Sequence, residues 1–182
     1  MAKFSDELNP SMKTFISEQK LFFTATAPAQ GGRINLSPKG MDTFRILDNK
    51  KVAYLDLTGS GNETSAHVKD NGRMTIMFCS FTDKPLILRL YGKGEIITPQ
   101  HSDWQLHLSH FNLLPGTRQI ILLYIESVQS SCGFAIPYFK YEGEREDLLQ
   151  WSHKKGEDGI KQYWEDKNQK SIDDLPAHPL SD

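Results

Sequence analysis

The sequence predicts a mostly β protein, a small antiparallel barrel with short helices in its connections and a helical extension at its C-terminal end. Three observations lead there. As far as Pro137, short apolar runs rich in aromatic and β-branched residues recur, each bounded by Gly, Pro or Asn. The run LILRLYGKGEIIT carries Gly92 and Gly94 inside a strand pattern, as a bulge or a barrel bend requires. After Pro137 the apolar runs stop and the sequence becomes polar and helix-forming.

The elements follow in order. Asn9-Pro10 reads as an N-cap with proline at the first helical position, and Met12, Phe15 and Ile16 supply a helical apolar stripe. LFFTAT, residues 21–26, reads as a strand closed by a turn at Pro28 and Gly31-Gly32, and RINLS, 33–37, as its hairpin return. Pro38-Lys39-Gly40 is expected to break that strand, before a short extended piece at 43–47 and a strand at 52–57. Residues 64–71 predict a helix ended by Gly72, the residue suited to a left-handed cap. Strands follow at 73–81, 86–98 and 118–130, with a helix at 102–111 between the last two. Two polar helices at 144–151 and 159–167 and an extended tail at 171–182 complete a six-stranded reading. It divides the chain into a barrel domain at 1–137 and a helical C-terminal extension of that domain at 138–182.

Composition narrows the function. The 182 residues suffice for one domain with its own core. A formal net charge of −2 with interspersed signs argues against a general nucleic-acid or membrane-surface binder. Cys79 and Cys132 are too few for a disulfide framework, and MAKFSDELNPSMKTF holds no apolar signal region, so a cytoplasmic location is expected.

One stretch suggests a ligand. TGSGNETSAHVKDNGR leaves the apolar run VAYLDL through two glycines and enters the helix. With Asn62 as N-cap, the N–H groups of Glu63, Thr64 and Ser65 form an anion-seeking helix start, and Ser60, Thr64 and Ser65 add hydroxyls. No Gly-Lys-Ser/Thr follows and Gly-x-Gly-x-x-Gly is absent, so this is neither a Walker loop nor a dinucleotide fingerprint. Taken alone, the stretch reads first as a capped glycine turn, and Glu63 would repel an anion unless it points away. A second stretch, GGRINLSPKGMDTFRI, places Arg33, Lys39 and Arg45 within one hairpin. Its alternation puts Arg33, Asn35 and Ser37 on one strand face and Ile34 and Leu36 on the other, an arrangement a plain exposed face would also produce.

Together, RINLSPKGMDTFRILD, VAYLDLTGSGNETSAHVKDNGRMTIMFCSF and LRLYGKGEI resemble the pyridoxamine 5′-phosphate oxidase-like, FMN-binding split-barrel family across roughly residues 12–130. The resemblance implies a six-stranded antiparallel split β-barrel, a homodimer with FMN at the subunit interface, and an oxidoreductase acting on a small-molecule substrate or electron donor. It implies that the strand from Arg33 through Asn35 and Ser37 to Lys39 runs along the flavin ring. Thr58, Ser60, Gly61, Asn62, Thr64 and Ser65 fall where the family holds the ribityl chain and phosphate. The named oxidases carry an Arg-Lys pair at the helix start, where this chain has Glu63-Thr64. A basic residue from elsewhere is then needed, with Lys39, Arg73 and Arg89 the candidates in that order. Ser131 to Gly133 is a run that the resembling subgroup shares and that would line the pocket.

The remaining clusters carry less. His107 and His110 lie three apart, as a helical metal pair would, but no further ligands accompany them, and solvated histidines are the better reading. Cys132 is given no catalytic role. Trp151, Tyr163 and Trp164 are expected to pack in the core or an interface, and KSIDDLP to fold over a partner's site or to fray. No side chain stands out as a general acid, base or nucleophile, which suits chemistry carried by a cofactor. Two other readings share these motifs: a flavin-binding sensor or electron-transfer module without turnover, and a split-barrel binder of haem or a deazaflavin.

Overall fold

A computed structural model of the chain describes residues 2–177. Its elements in chain order are β1 (Lys3–Ser5), α1 (Pro10–Glu18), β2 (Phe22–Thr26), β3 (Asn35–Lys39), β4 (Phe44–Ile46) and β5 (Lys51–Leu57). Then come α2 (Glu63–Asn71), β6 (Arg73–Cys79), β7 (Ile87–Ile97), α3 (Trp104–Leu108), β8 (Thr117–Ser131) and α4 (Asp147–Lys167). All strand pairs are antiparallel. One sheet of eight strands has the order β3-β2-β6-β7-β8-β5-β4, with β1 added on β8. The two strands beyond the six expected are the three-residue β1 and β4, and β4 lies within the extended piece read at 43–47.

The sheet curls into a half-barrel because its longest strand serves two neighbours on one side. β8 pairs with β7 along its length, while its first half also pairs with β5 and its last residues with β1. The register of β7 against β8 shifts between Tyr91 and Gly92. A Cβ at Gly92 would lie 1.9 Å from the Tyr124 carbonyl oxygen, so the bulge admits only glycine. At Gly94 a Cβ would meet the Val68 side chain at 2.9 Å, so this glycine lets α2 lie close on the sheet.

Inside the curl, Phe22, Tyr54, Phe78, Leu88, Leu90 and Ile121 pack with Phe15 and Ile16 of α1. A second cluster, with Ala53, Leu55, Ile97, Phe111, Ile120 and Leu122, lies under α3. The β5–β8 region is therefore covered on both faces, which explains its unbroken apolar run, Ile120 to Leu123.

Local signals place the helices. Asn9 Oδ1 accepts the Met12 N–H at 3.0 Å, with Pro10 opening α1. Gly72 closes α2 at φ 72° and its N–H bonds the Val68 carbonyl. Three boundaries differ from expectation. β3 continues through Pro38, because an edge strand has no second neighbour to receive the missing N–H. The helix read at 102–111 contracts to α3, with Asp103 and Ser109 at its ends. The two C-terminal helices form one element, α4, bent at Gly156, whose φ of 67° and ψ of 173° are not helical. The tail read as extended instead turns back at residues 172–174, bridging Lys170 and Pro176, and residues 178–182 lie outside the described residues. Among the described residues no helix is long and apolar enough to cross a membrane.

Candidate functional site

The polar stretch of β3 and the start of α2 meet at a cleft of about 710 Å³, within the range of roughly 300–1,000 Å³ typical of ligand sites. β3 turns Asn35, Ser37 and Lys39 toward it and leaves Leu36 65% exposed on the opposite face. The usual order is inverted here: the polar face of the strand points inward and the apolar face outward.

That inward face is cross-linked to its neighbours. Ser37 Oγ donates to Asn35 Oδ1 at 2.9 Å, and Asn35 Nδ2 donates to Thr64 Oγ1 at 3.0 Å and Thr26 Oγ1 at 3.1 Å. Thr26 Oγ1 in turn lies 3.0 Å from Nδ1 of the buried His67. One amide thereby ties β3 to both β2 and α2.

The floor is a buried ionic network. Asp56 is 1% exposed at the end of the VAYLDL strand. Its Oδ1 accepts from Lys39 Nζ at 2.9 Å, and its Oδ2 accepts from Arg118 Nη2 at 2.8 Å and from Gln119 Nε2 at 2.9 Å. Burial opposes ionisation, but the Lys39 ammonium and the Arg118 guanidinium outweigh it and hold this carboxyl well below the ordinary range. Arg118 gives its remaining bonds to the Gly61 carbonyl at 2.9 Å and Asn168 Oδ1 at 2.8 Å. The network thus joins β3, β5, β8, the glycine turn and the segment after α4.

The turn itself differs from a simple capped helix. Asn62 occupies the N-cap position, but its side chain makes no cap bond. Its amide donates instead to the Ala177 carbonyl, and its Oδ1 accepts from Gln119 at 2.8 Å. The N–H groups of the first turn of α2 therefore receive no acceptor from that side chain. Glu63 itself lines the cleft and accepts the Ile172 N–H of the C-terminal segment at 3.0 Å.

The C-terminal segment straps the cleft. Asn168 and Ala177 are fully buried, and Ser171 is 6% exposed. Lys167, Lys170, Ser171 and Ile172 line the cleft wall. Asp173 binds Arg33 twice, through the backbone N–H at 2.6 Å and through the guanidinium. Those contacts, the backbone bond first, keep the Asp173 carboxyl below its ordinary range. KSIDDLP is thus docked on its own chain.

Of the residues singled out from sequence, Asn35, Ser37, Lys39, Ser60, Gly61, Asn62 and Thr64 come together around the cleft. Arg33 does not line it and is held by the strap. Thr58 is buried beneath, donating to the Gly116 carbonyl and accepting from Trp164 Nε1, both at 2.8 Å. Ser65 is fully buried, and its Oγ has no partner among the described residues. Arg89 lies on β7 with its Nη1 3.1 Å from Ser131 Oγ, and neither residue lines the cleft. Arg73, bonded to Asn71, is also outside it. Among the described residues no group of three or more His, Cys, Asp or Glu is placed to hold a metal ion.

Sequence reasoning missed Asp56, Arg118, Gln119 and the two strap lysines. A signal was available for the first two. Asp56 is a lone acid in an otherwise apolar buried strand, and such an acid needs a cationic partner. Nothing local, however, identifies a partner 62 residues away.

Comparison with known proteins agrees with the fold. A family model described as pyridoxamine 5′-phosphate oxidase matches residues 8–132. The pyridoxamine 5′-phosphate oxidase family protein ustO of Aspergillus flavus is 42% identical over 142 residues, covering 75% of this chain and 57% of that protein. The chain thus spans little more than half the length of that relative. A crystal structure from Lactobacillus delbrueckii assigned as a pyridoxamine 5′-phosphate oxidase superposes with a TM-score of 0.55 at 20% identity, covering 68% of this chain and 94% of that one. A pyridoxamine 5′-phosphate oxidase-related, FMN binding protein of Nostoc punctiforme gives a TM-score of 0.50 at 14% identity, covering 68% and 84%. At those identities the two structures speak for the fold alone. With its half-barrel and a family match over most of its length, the chain belongs to the pyridoxamine 5′-phosphate oxidase family.

Proposed function

We propose that the cleft binds FMN and that the protein is an FMN-dependent oxidoreductase. The observation that carries this reading is the polar lining of the cleft: the inward polar face of β3 on one wall, and Ser60 with the first turn of α2, unmet by Asn62, on the other. A flat ring with a polar edge suits the first wall, and a phosphate suits the second. Bound there, the flavin would supply the electron transfer, and the protein's residues would orient it and keep water out. Asn35, fixed by its bonds to Thr64 and Thr26, presents a rigid wall. Asp56, held ionised by two cations, has no proton to give near neutral pH, consistent with a structural role.

The exposed apolar face of β3, with Ile34 at 78% and Leu36 at 65%, is adjacent to the cleft at the sheet edge. We propose that a second copy of the chain covers it. Residues 138–182 then act as an extension of the 1–137 domain, anchored by Trp164 on Thr58 and Asn168 on Arg118. Cys79 and Cys132 are both free, in keeping with a reducing compartment such as the cytoplasm.

An absorbance spectrum of the purified protein, before and after FMN addition and gel filtration, tests the binding. Retained flavin at about one per chain supports the reading, and a colourless protein that keeps none rejects it. Reduction of the bound flavin by NAD(P)H and reoxidation by oxygen or a substrate separates an oxidoreductase from a flavin store.

A further inference from the structure

We propose that Lys167 and Lys170, at the end of α4 and the start of the strap, are the residues that grip the phosphate of FMN. The inference rests on the FMN reading of the cleft and assigns the charge within it. Among the described residues four basic side chains line the cleft, and two of them are bonded to a buried carboxylate. Lys39 and Arg118 both give their short bonds to Asp56, and Arg118 spends the rest on Gly61 and Asn168. Arg33 is bound to Asp173. Helix α2 brings an acid, Glu63, to its first turn and no base.

The two remaining cations are differently placed. Lys167 has no ion pair among the described residues, and Lys170 has one contact of 3.5 Å with Asp174, whose side chain is 86% exposed. Their backbone is nonetheless fixed. Between them Asn168 is fully buried, taking a bond from Arg118 and giving one to the Gly59 carbonyl. Just beyond, Ser171 Oγ accepts from the Asp173 and Leu175 N–H groups. The Glu63–Ile172 bond then holds this segment against the first turn of α2. Two exposed ammonium groups on a pinned backbone therefore face the positive end of a helix dipole across one cleft. A phosphate dianion entering there orders only side chains, not a loop.

The test compares FMN with riboflavin, which lacks the phosphate, by titrating the full-length chain at low salt. Wild type should prefer FMN. Each lysine should carry about tenfold of that preference, so K167Q/K170Q should lose about a hundredfold on FMN and nothing on riboflavin. K167R/K170R should restore the preference. Inorganic phosphate should compete with FMN and not with riboflavin; competition with both flavins alike overturns the proposal. A double variant that keeps the full preference overturns the proposal and leaves the FMN reading standing, as does one that loses both flavins equally. A wild type that binds neither flavin, or both alike, overturns the FMN reading and the proposal with it.

Discussion

The floor of the cleft and its C-terminal rim both carry cations, and the two regions use them differently. On the floor, Lys39 and Arg118 surround a carboxylate that is 1% exposed, and every strong bond is internal. On the rim, Lys167 and Lys170 stand on a pinned backbone with side chains turned to solvent. A buried ion pair is strongly destabilising to break, because removing one partner strands the other. A solvated lysine adds little to folding and can serve a ligand. The difference separates charge that a buried partner has already claimed from charge that is still open to a ligand.

The largest effect should come from the floor. Arg118→Ala strands Asp56 and frees the Gly61 carbonyl and Asn168, and it should cost about 3–5 kcal/mol in urea unfolding. The rim variant K167Q/K170Q should stay within about 0.5 kcal/mol of wild type. Equal losses would erase the distinction between the two regions.

Acid sharpens the same comparison. Asp56 has a folded-state pKa below its unfolded one, so its contribution is complete above the unfolded value, about 3.9. That contribution fades as pH falls below 3.9 toward the folded value. Asp56→Asn should be less stable at neutral pH and show a flatter acid limb in a pH series of unfolding midpoints. An unchanged acid limb would mean that Asp56 is not the titrating group.

Smaller effects test how the rim is anchored. Trp164→Phe removes the N–H that Thr58 Oγ1 accepts and part of a buried ring, and should cost about 1–3 kcal/mol. Asp173→Asn weakens the tie to Arg33, and amide exchange should speed up across the strap while β7 and β8 stay protected. Uniform exchange across the molecule would show that the strap is not a separate unit.

Much of the fold was legible because its signals are local. Asn9-Pro10, the Gly72 cap, the bend glycines in LYGKGEI and the alternation in RINLS each act within a few residues. The site was legible in part for the same reason: Asn35, Ser37, Lys39 and the turn around Ser60 announce themselves by pattern. Pro38 misled because its cost depends on whether a strand is at an edge, which is a property of the sheet. Arg118 was invisible because its partner Asp56 lies far along the chain, and the strap lysines because nothing local says that they line the cleft. Arg118 opens an apolar strand like any flanking charge, and only the pairing of Asp56 with Gln119 in the β5–β8 ladder brings it to the cleft. Arg33, prominent in the motif, was claimed by an aspartate 140 residues away.

The most direct measurement is hydrogen exchange by mass spectrometry on the full-length chain, with and without saturating FMN. A flavin held between the start of α2 and the strap should slow exchange at residues 60–64 and at residues 168–172 together, with the β7–β8 ladder unchanged. Flavin binding that protects neither segment, or no binding at all, would contradict it.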